Sequence, residues 1–258
     1  MVDAAQSRQH TLSIRLRTDG FSFSIYNPLQ EGDGMMIERG VDESLSLTAN
    51  LKAALQELDF LSFAYRRVNV MTTGKRFTTV ALELFEGEEE EAELLFYHNL
   101  PRQENEKVMF NLLRRSNIAV LFGIDRSVYN LLHEHYPDAR FYAQATPLIE
   151  HLGVKSRLGN SKKMYAFVQK EGMGIYCFER GHLLLANSFG CSCTADRLYY
   201  LLYVWKQLEF GQERDELHLA GALPDKGALT GQLKRFIRQV FVMNPADHID
   251  LQALLTCE

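Results

Sequence analysis

The sequence predicts a mixed α/β fold built from two similar halves. Near the start of each half, short segments alternate apolar and polar residues, which is typical of strands that bury one face. A segment with apolar residues spaced by three and four follows in each half, as in an amphipathic helix. Because the order strand, strand, strand, helix occurs twice, the sequence predicts an internal duplication.

The first half contains the clearer hairpin. Alternation over 11–17 and 21–26 predicts two strands joined by a turn at Thr18-Asp19-Gly20, and 35–39 predicts a third strand. Asp42 and Ser44 are candidate caps for the helix that follows. Its apolar positions are Leu47, Leu51, Ala54, Leu55, Leu58 and Leu61. Segments 65–71, 118–122 and 140–142 are predicted as later strands.

The second half repeats this order. Segments 164–169, 173–178 and 182–189 are predicted strands, with turns at 170–172 and 179–181. Thr194 is the candidate cap of a helix whose apolar residues are Leu198, Leu201, Leu202, Trp205 and Leu208. A strand at 216–220, a helix at 229–238 and a strand at 240–243 follow. A basic stretch rich in Gly and Ser at 155–161 predicts a flexible linker between subdomains 1–154 and 162–258.

Composition indicates a globular protein. Of 258 residues, 46% are hydrophobic and 24% are charged, as in ordinary folded domains. No apolar run reaches the roughly 18 residues of a membrane span, and the first residues lack the apolar core of a signal peptide. We therefore expect a soluble, cytoplasmic protein. Its four cysteines are too few and too closely grouped for a disulfide scaffold.

The net charge of -5 is concentrated in one segment. Seven glutamates lie between Glu83 and Glu93, and without them 28 basic residues face 26 acidic ones. This balance argues against general nucleic-acid binding, which needs a strong basic excess, and leaves only the basic segment Lys155–Lys163 as a candidate. The acidic run itself favours a helix start, with a docking patch for a basic partner as the alternative.

The sequence lacks the common enzyme motifs. It has no Gly-x-Ser-x-Gly elbow, no Walker-type loop and no Rossmann glycine triplet. Cys191 and Cys193 with His182 would fall short of a structural zinc set. His133 and His135 are two residues apart, so a helix points them to different faces. We therefore predict neither a metal site nor catalytic residues of these classes.

Four segments carry a resemblance to a known family: 12–25, 80–92, 145–150 and 194–208. Together they resemble a family of Bacteroidetes proteins classed as a domain of unknown function, with an actin-like ATPase, or ribonuclease-H-like, fold. The resemblance extends over about residues 12–243. The layout is more distantly similar to the pilus-assembly and secretion scaffold proteins PilM and GspL. It implies two subdomains that could hold ATP and Mg²⁺ between them.

The residues depart from that nucleotide site. The superfamily's first-strand aspartate would fall near Arg15 and its glycine near Arg17, and neither arginine can bind Mg²⁺ or admit a phosphate. The candidate nucleotide contacts that remain are Asp19, Gly20, Glu171, Gly172, Gly174 and Gly221. Each of them can also serve a turn or a strand end, and an Asp-Gly pair favours a hairpin for its backbone geometry alone.

Two functions are compatible with these observations. The first is a non-enzymatic protein-interaction or scaffold module with a degenerate nucleotide site and no cofactor. The alternative is an ATPase or phosphotransferase that binds ATP and Mg²⁺ through relocated acids, Asp19 and Glu171. The candidate contacts for a protein partner or for self-association are Tyr199, Tyr200 and Tyr203. The alternative is that these tyrosines pack in the core, on a helix that is buried on two sides.

Overall fold

The fold was obtained as a computed structural model that describes residues 6–27, 34–170, 172–221, 226–244, 248–255 and 257. Its strands are β1 (Thr11–Arg17), β2 (Gly20–Tyr26), β3 (Gly34–Gly40), β4 (Arg67–Thr72), β5 (Phe77–Ala81), β6 (Glu106–Leu113), β7 (Ile118–Asp125), β8 (Arg140–Ala143), β9 (Lys162–Gln169), β10 (Gly172–Glu179), β11 (His182–Gly190), β12 (Glu216–Gly221) and β13 (Gln239–Val242). Its helices are α1 (Leu47–Glu57), α2 (Glu89–Asn99), α3 (Arg126–His135), α4 (Ala145–Ser156), α5 (Thr194–Gln207), α6 (Lys226–Leu233) and α7 (Ile249–Leu254). The mixed α/β class is confirmed.

The chain forms two compact units. The first contains Met1–Gly74, Gly87–Asn111 and Leu121–Gln144, and the second contains Lys75–Glu86, Leu112–Val120 and Ala145–Glu258. The chain therefore passes from the first unit to the second at the start of α4, before the predicted linker at 155–161. The reason is that α4 packs on β9, β10, β11 and α7, all in the second unit. Lys155 and Ser156 of the predicted linker are the last residues of this helix.

The first unit is built on a five-stranded sheet in the order β3-β2-β1-β4-β8. β1 pairs antiparallel with β2 and parallel with β4, so the hairpin turn lies at the carboxyl end of β1. Leu12, Ile14 and Phe23 are fully buried, as the sequence predicts, but Ser13 and Ser22 on the opposite face are buried too. The hairpin is therefore buried on both faces and not on one, as the alternation predicted. The cap of α1 differs from the prediction, because Ser46 Oγ accepts from the Ala49 amide.

The second unit has a sheet of the same plan, in the order β11-β10-β9-β12-β13. β9 pairs antiparallel with β10 and parallel with β12. The alternate residues Met164, Ala166 and Val168 of β9 belong to a core closed by Leu201 and Trp205 of α5. α6 ends at Leu233, which is earlier than predicted.

Three other features complete the fold. A three-stranded sheet has the order β5-β7-β6. The acidic run begins α2 as predicted, with Glu89, Glu90 and Glu91 in its first turn, where carboxylates favour the positive end of the helix dipole. Within the described ranges, no helix is both long and apolar enough to cross a membrane.

The second sheet carries a polar cluster between two aromatic rings. The His218 imidazole stacks on Tyr165 and on Phe241, with ring centroids 4.8 and 4.9 Å apart. Its Nε2 lies 2.8 Å from Glu216 Oε2, which also accepts a contact at 3.3 Å from Lys163 Nζ. Burial lowers the pKa of His218 below its ordinary value of 6.5, against the opposing effect of Glu216. The cluster therefore holds its imidazole neutral.

We expect stability to fall as the pH drops below about 6.5, where unfolded histidine becomes protonated. His151 acts in the same direction, because burial and nearby Lys155 lower its pKa. For both groups the unfolded chain binds more protons, so stability is complete above 6.5 and declines as pH falls through the folded-state pKa. Urea denaturation at pH 7.5 and 5.5 measures this. His218→Gln should reduce the difference in unfolding free energy between the two pH values. His182→Gln, at an exposed residue, is the control and should leave that difference as in the wild type. An unchanged difference in His218→Gln would contradict the role given to His218.

Candidate functional site

The first hairpin carries Arg15 and Arg17, the two positions at which the family resemblance predicts that an acid and a glycine are replaced. Arg15 is only 6% exposed, and its Nη2 donates to Ser22 Oγ at 3.0 Å. The register explains this contact, since Arg15 and Ser22 are direct partners across β1 and β2, and Ser22 faces Glu38 on β3. Arg17 Nη1 donates to Glu38 Oε1 at 2.9 Å. Arg15, Ser22 and Glu38 form one row across the sheet, and Arg17, two residues further along β1 on the same face, joins this row through Glu38.

This row satisfies its own charges. Ser22 Oγ accepts from both arginines and donates to Glu38 Oε1 at 3.2 Å. The Arg17 hydrogen bond, opposed by partial burial, keeps the pKa of Glu38 below its ordinary value of 4.5. A carboxylate that already faces two guanidinium groups is a poor ligand for Mg²⁺, which needs free oxygen ligands in octahedral array.

Asp19 and Gly20 both have structural roles in the first hairpin. Asp19 Oδ1 accepts from Arg17 Nε at 3.1 Å. The two-residue loop is Thr18-Asp19, and neither residue has positive φ, so the expected Asp-Gly turn geometry is not used. Gly20 instead begins β2, where an added Cβ would lie 2.4 Å from the Arg39 carbonyl oxygen. The glycine is needed because β3 approaches closely.

The structure brings three predicted glycines together at one edge of the second sheet. Gly172 begins β10 opposite Gln169, and Gly221 ends β12 opposite Val168, which itself pairs with Met173. Gly174 lies two residues after Gly172 in β10, so the two glycines are on the same face of the strand. Glu171, the predicted acid of this turn, lies outside the described residues.

Each of these glycines accommodates a neighbouring protein group. A Cβ on Gly172 would lie 2.8 Å from Lys75 Cε, because the Lys75 side chain runs over Gly172 and its partner Gly190. A Cβ on Gly174 would meet the Tyr176 ring at 3.0 Å. Gly221 has φ of +85°, and its Cβ would lie 2.2 Å from the Val168 carbonyl oxygen. Packing within the second unit therefore explains why each of these three positions is a glycine.

The junction between β11 and α5 lies beside this edge. Cys193, and not the predicted Thr194, is the N-cap residue, and Asp196 completes a capping box by accepting from the Ser192 and Cys193 amides. Cys191 is buried, which raises the pKa of its thiol. Among the described residues, no group of three or more His, Cys, Asp or Glu side chains is placed to hold a metal ion.

Two basic residues at this edge were absent from the sequence prediction. Arg197 is 3% exposed and shares the buried stripe of α5 with Leu201, Val204 and Trp205. Its spacing from Leu201 was a usable signal, because residues four apart lie on one helix face. Lys75 has no such signal, since only the fold brings it to Gly172 and Gly190.

Comparison with known structures defines the class. A protein of unknown function from Bacteroides thetaiotaomicron with an actin-like ATPase fold matches over 100% of both chains, with 64% identity and a TM-score of 0.94. The PilM-PilN type IV pilus biogenesis complex is similar over 93% of this chain and 90% of the other, with 10% identity and a TM-score of 0.57. The protein therefore has the actin-like ATPase fold.

The family follows from the sequence. The DUF3822 family, described as a protein of unknown function, matches residues 1–240, and the chain belongs to it. No curated protein sequence matches the chain. These comparisons confirm the expected fold and family and the distant likeness to PilM.

We expect Gly221→Ala to destabilise the protein by about 2 kcal/mol or more, because alanine disfavours positive φ and its methyl group would displace the Val168 carbonyl. Gly231→Ala is the matched control, since Gly231 is exposed in α6 with open space around its Cα. The control should gain roughly 0.5–1 kcal/mol. Chemical denaturation measures both, and equal effects would contradict this role of Gly221.

Proposed function

We propose that this protein is a non-enzymatic protein-interaction or scaffold module in which an actin-like fold is retained and its nucleotide site is degenerate. The observation that carries the proposal is the buried Arg15, which bonds to Ser22 and Glu38 in the row that should supply an acid. An arginine cannot ligate Mg²⁺, and Glu38 is already engaged. The proposed module acts without a cofactor.

The second hairpin supports the same function. Lys75 covers the face of Gly172 at which a ligand would need close backbone approach. Asp19, one of the two relocated acids that an ATPase would need, bonds to Arg17. All four cysteines are free, as is usual in a reducing compartment, so we place the module in the cytoplasm.

Purified, nucleotide-free protein titrated with ATP and Mg²⁺ by calorimetry should give no saturable heat up to millimolar ligand. It should also release no phosphate from ATP above the rate of a buffer control, because Asp19 and Glu38, the described acids of the first hairpin, are already paired with Arg17. Saturable binding would contradict the degenerate site. Magnesium-dependent turnover that is lost in Asp19→Asn or Glu171→Gln would establish the alternative ATPase.

A tyrosine patch on α5, defined by Tyr199, Tyr200 and Tyr203, is the proposed contact surface. Tyr199 and Tyr203 are 60% and 49% exposed and stack with ring centroids 6.0 Å apart. Tyr200 is half-buried against Phe189, which anchors the patch to β11. Exposed tyrosines suit protein contacts because they offer large apolar area with little entropy to lose. The PilM protein of similar fold occurs in a complex with PilN, which is a precedent for such use of the fold.

A photoreactive phenylalanine analogue placed at Tyr199 or Tyr203 should cross-link in cells to a protein partner or to a second copy of the chain. The same analogue at Leu94, which is 71% exposed on α2, is the control and should give no specific adduct. Adducts at Leu94 alone, or at none of the three positions, would contradict this surface.

A further inference from the structure

Arg197 is a buried cation without a carboxylate partner among the described residues. Its Nη2 makes one long contact, 3.4 Å, to the Lys170 carbonyl oxygen, and its Nε has no hydrogen-bond partner. Burying a guanidinium group in this way is costly unless an anion compensates it. An unsatisfied buried polar group is rare in a folded protein and calls for an explanation, such as an ordered water, an ion or a functional role.

The position of Arg197 in its helix adds to the cost. Arg197 ends the first turn of α5, where the helix dipole is positive and a cation is disfavoured. The nearby acid, Asp196, points its carboxylate at the Ser192 and Cys193 amides. The local acid is therefore used by the helix cap and not by the arginine.

A second cation lies on the same edge of the sheet. Lys75 runs over Gly172 and Gly190, and both Arg197 and Lys75 act electrostatically on the Cys191 thiol. The thiol stays protonated, because burial raises its pKa, so it supplies no negative charge. Two cations and a helix start surround this junction, which is the arrangement that oxyanions favour.

We propose that Arg197, with Lys75 and the first turn of α5, forms a binding site for a phosphate-class oxyanion. The planar guanidinium can donate two parallel hydrogen bonds to a phosphate, and Lys75 adds a second positive charge. The proposed site needs no metal ion, and Asp196, the acid in the first turn of α5, is engaged by the Ser192 and Cys193 amides of the helix cap. The predicted nucleotide contacts at Asp19, Gly172 and Gly221, in contrast, would bind ATP together with Mg²⁺. The oxyanion site is also independent of the proposed scaffold function.

Thermal unfolding in phosphate against chloride, at equal ionic strength and without Mg²⁺, tests the proposal. At a phosphate concentration about 100 times the dissociation constant, the midpoint should rise by about 5 °C. Arg197→Met should abolish this rise, and in chloride alone its midpoint should equal or exceed that of the wild type, since a buried unpaired charge is gone. Arg238→Met is the matched control at an exposed arginine and should retain the phosphate response.

Two further measurements, one with ATP and one with the Glu171→Gln variant, identify the source of the oxyanion and test whether Glu171 is the counterion instead. Stabilisation by phosphate without stabilisation by ATP is expected and would identify the free ion as the ligand. Equal stabilisation by phosphate and by ATP would place this site within a nucleotide site and overturn its independence from the proposed scaffold function. A wild type that does not respond to either, while Glu171→Gln does, would show that the Glu171 carboxylate is the counterion and would overturn the proposal. A response that survives in Arg197→Met would also overturn it.

Discussion

Parallel pairing of the first strand of each sheet determines where every candidate residue lies. β1 pairs with β4 and β9 with β12, while each also pairs antiparallel with the next strand of its hairpin. The hairpin turn therefore falls at the carboxyl ends of the parallel strands, which is where α/β folds place ligands. In the second unit this brings Gly172, Gly221 and the start of α5 to one edge. The chemistry available at these edges depends on the side chains that the pairing delivers.

Two buried arginines show how differently such an edge can be used. Arg15 is compensated within its own row, by Ser22 and by Glu38. Among the described residues, the hydrogen-bond partner of Arg197 is the Lys170 carbonyl oxygen, although the two arginines are similarly buried. Since a buried charge is tolerated only with compensation, Arg15 is accounted for within its hairpin, whereas the charge of Arg197 is what the proposed oxyanion at the α5 junction would compensate.

The strands and helices followed from the sequence because period-two and period-3.6 patterns are local. β1, β2, β9 and β10 lie within two residues of their predicted bounds. The caps did not follow from the sequence. Ser46 has equally suitable neighbours in Asp42 and Ser44, and Cys193 is a less favoured cap residue than Thr194, so only the path of the chain selects the cap. The boundary between the units also depends on tertiary packing, because α4 follows the first five-stranded sheet in sequence but packs on the second.

The candidate site was less accessible to sequence reasoning than the fold. Glycines and an Asp-Gly pair in hairpins are the pattern that a phosphate site would produce, and Gly20, Gly172 and Gly174 have it. The structure supplies a different neighbour for each, namely a carbonyl oxygen, a lysine side chain and an aromatic ring. The neighbours of Gly20 and Gly172, Arg39 and Lys75, are distant in sequence, whereas Tyr176 is only two residues from Gly174. The presence of these glycines therefore carries little information about nucleotide binding, whereas a buried arginine such as Arg15 directly limits which ions the hairpin can hold, because a guanidinium group cannot ligate Mg²⁺.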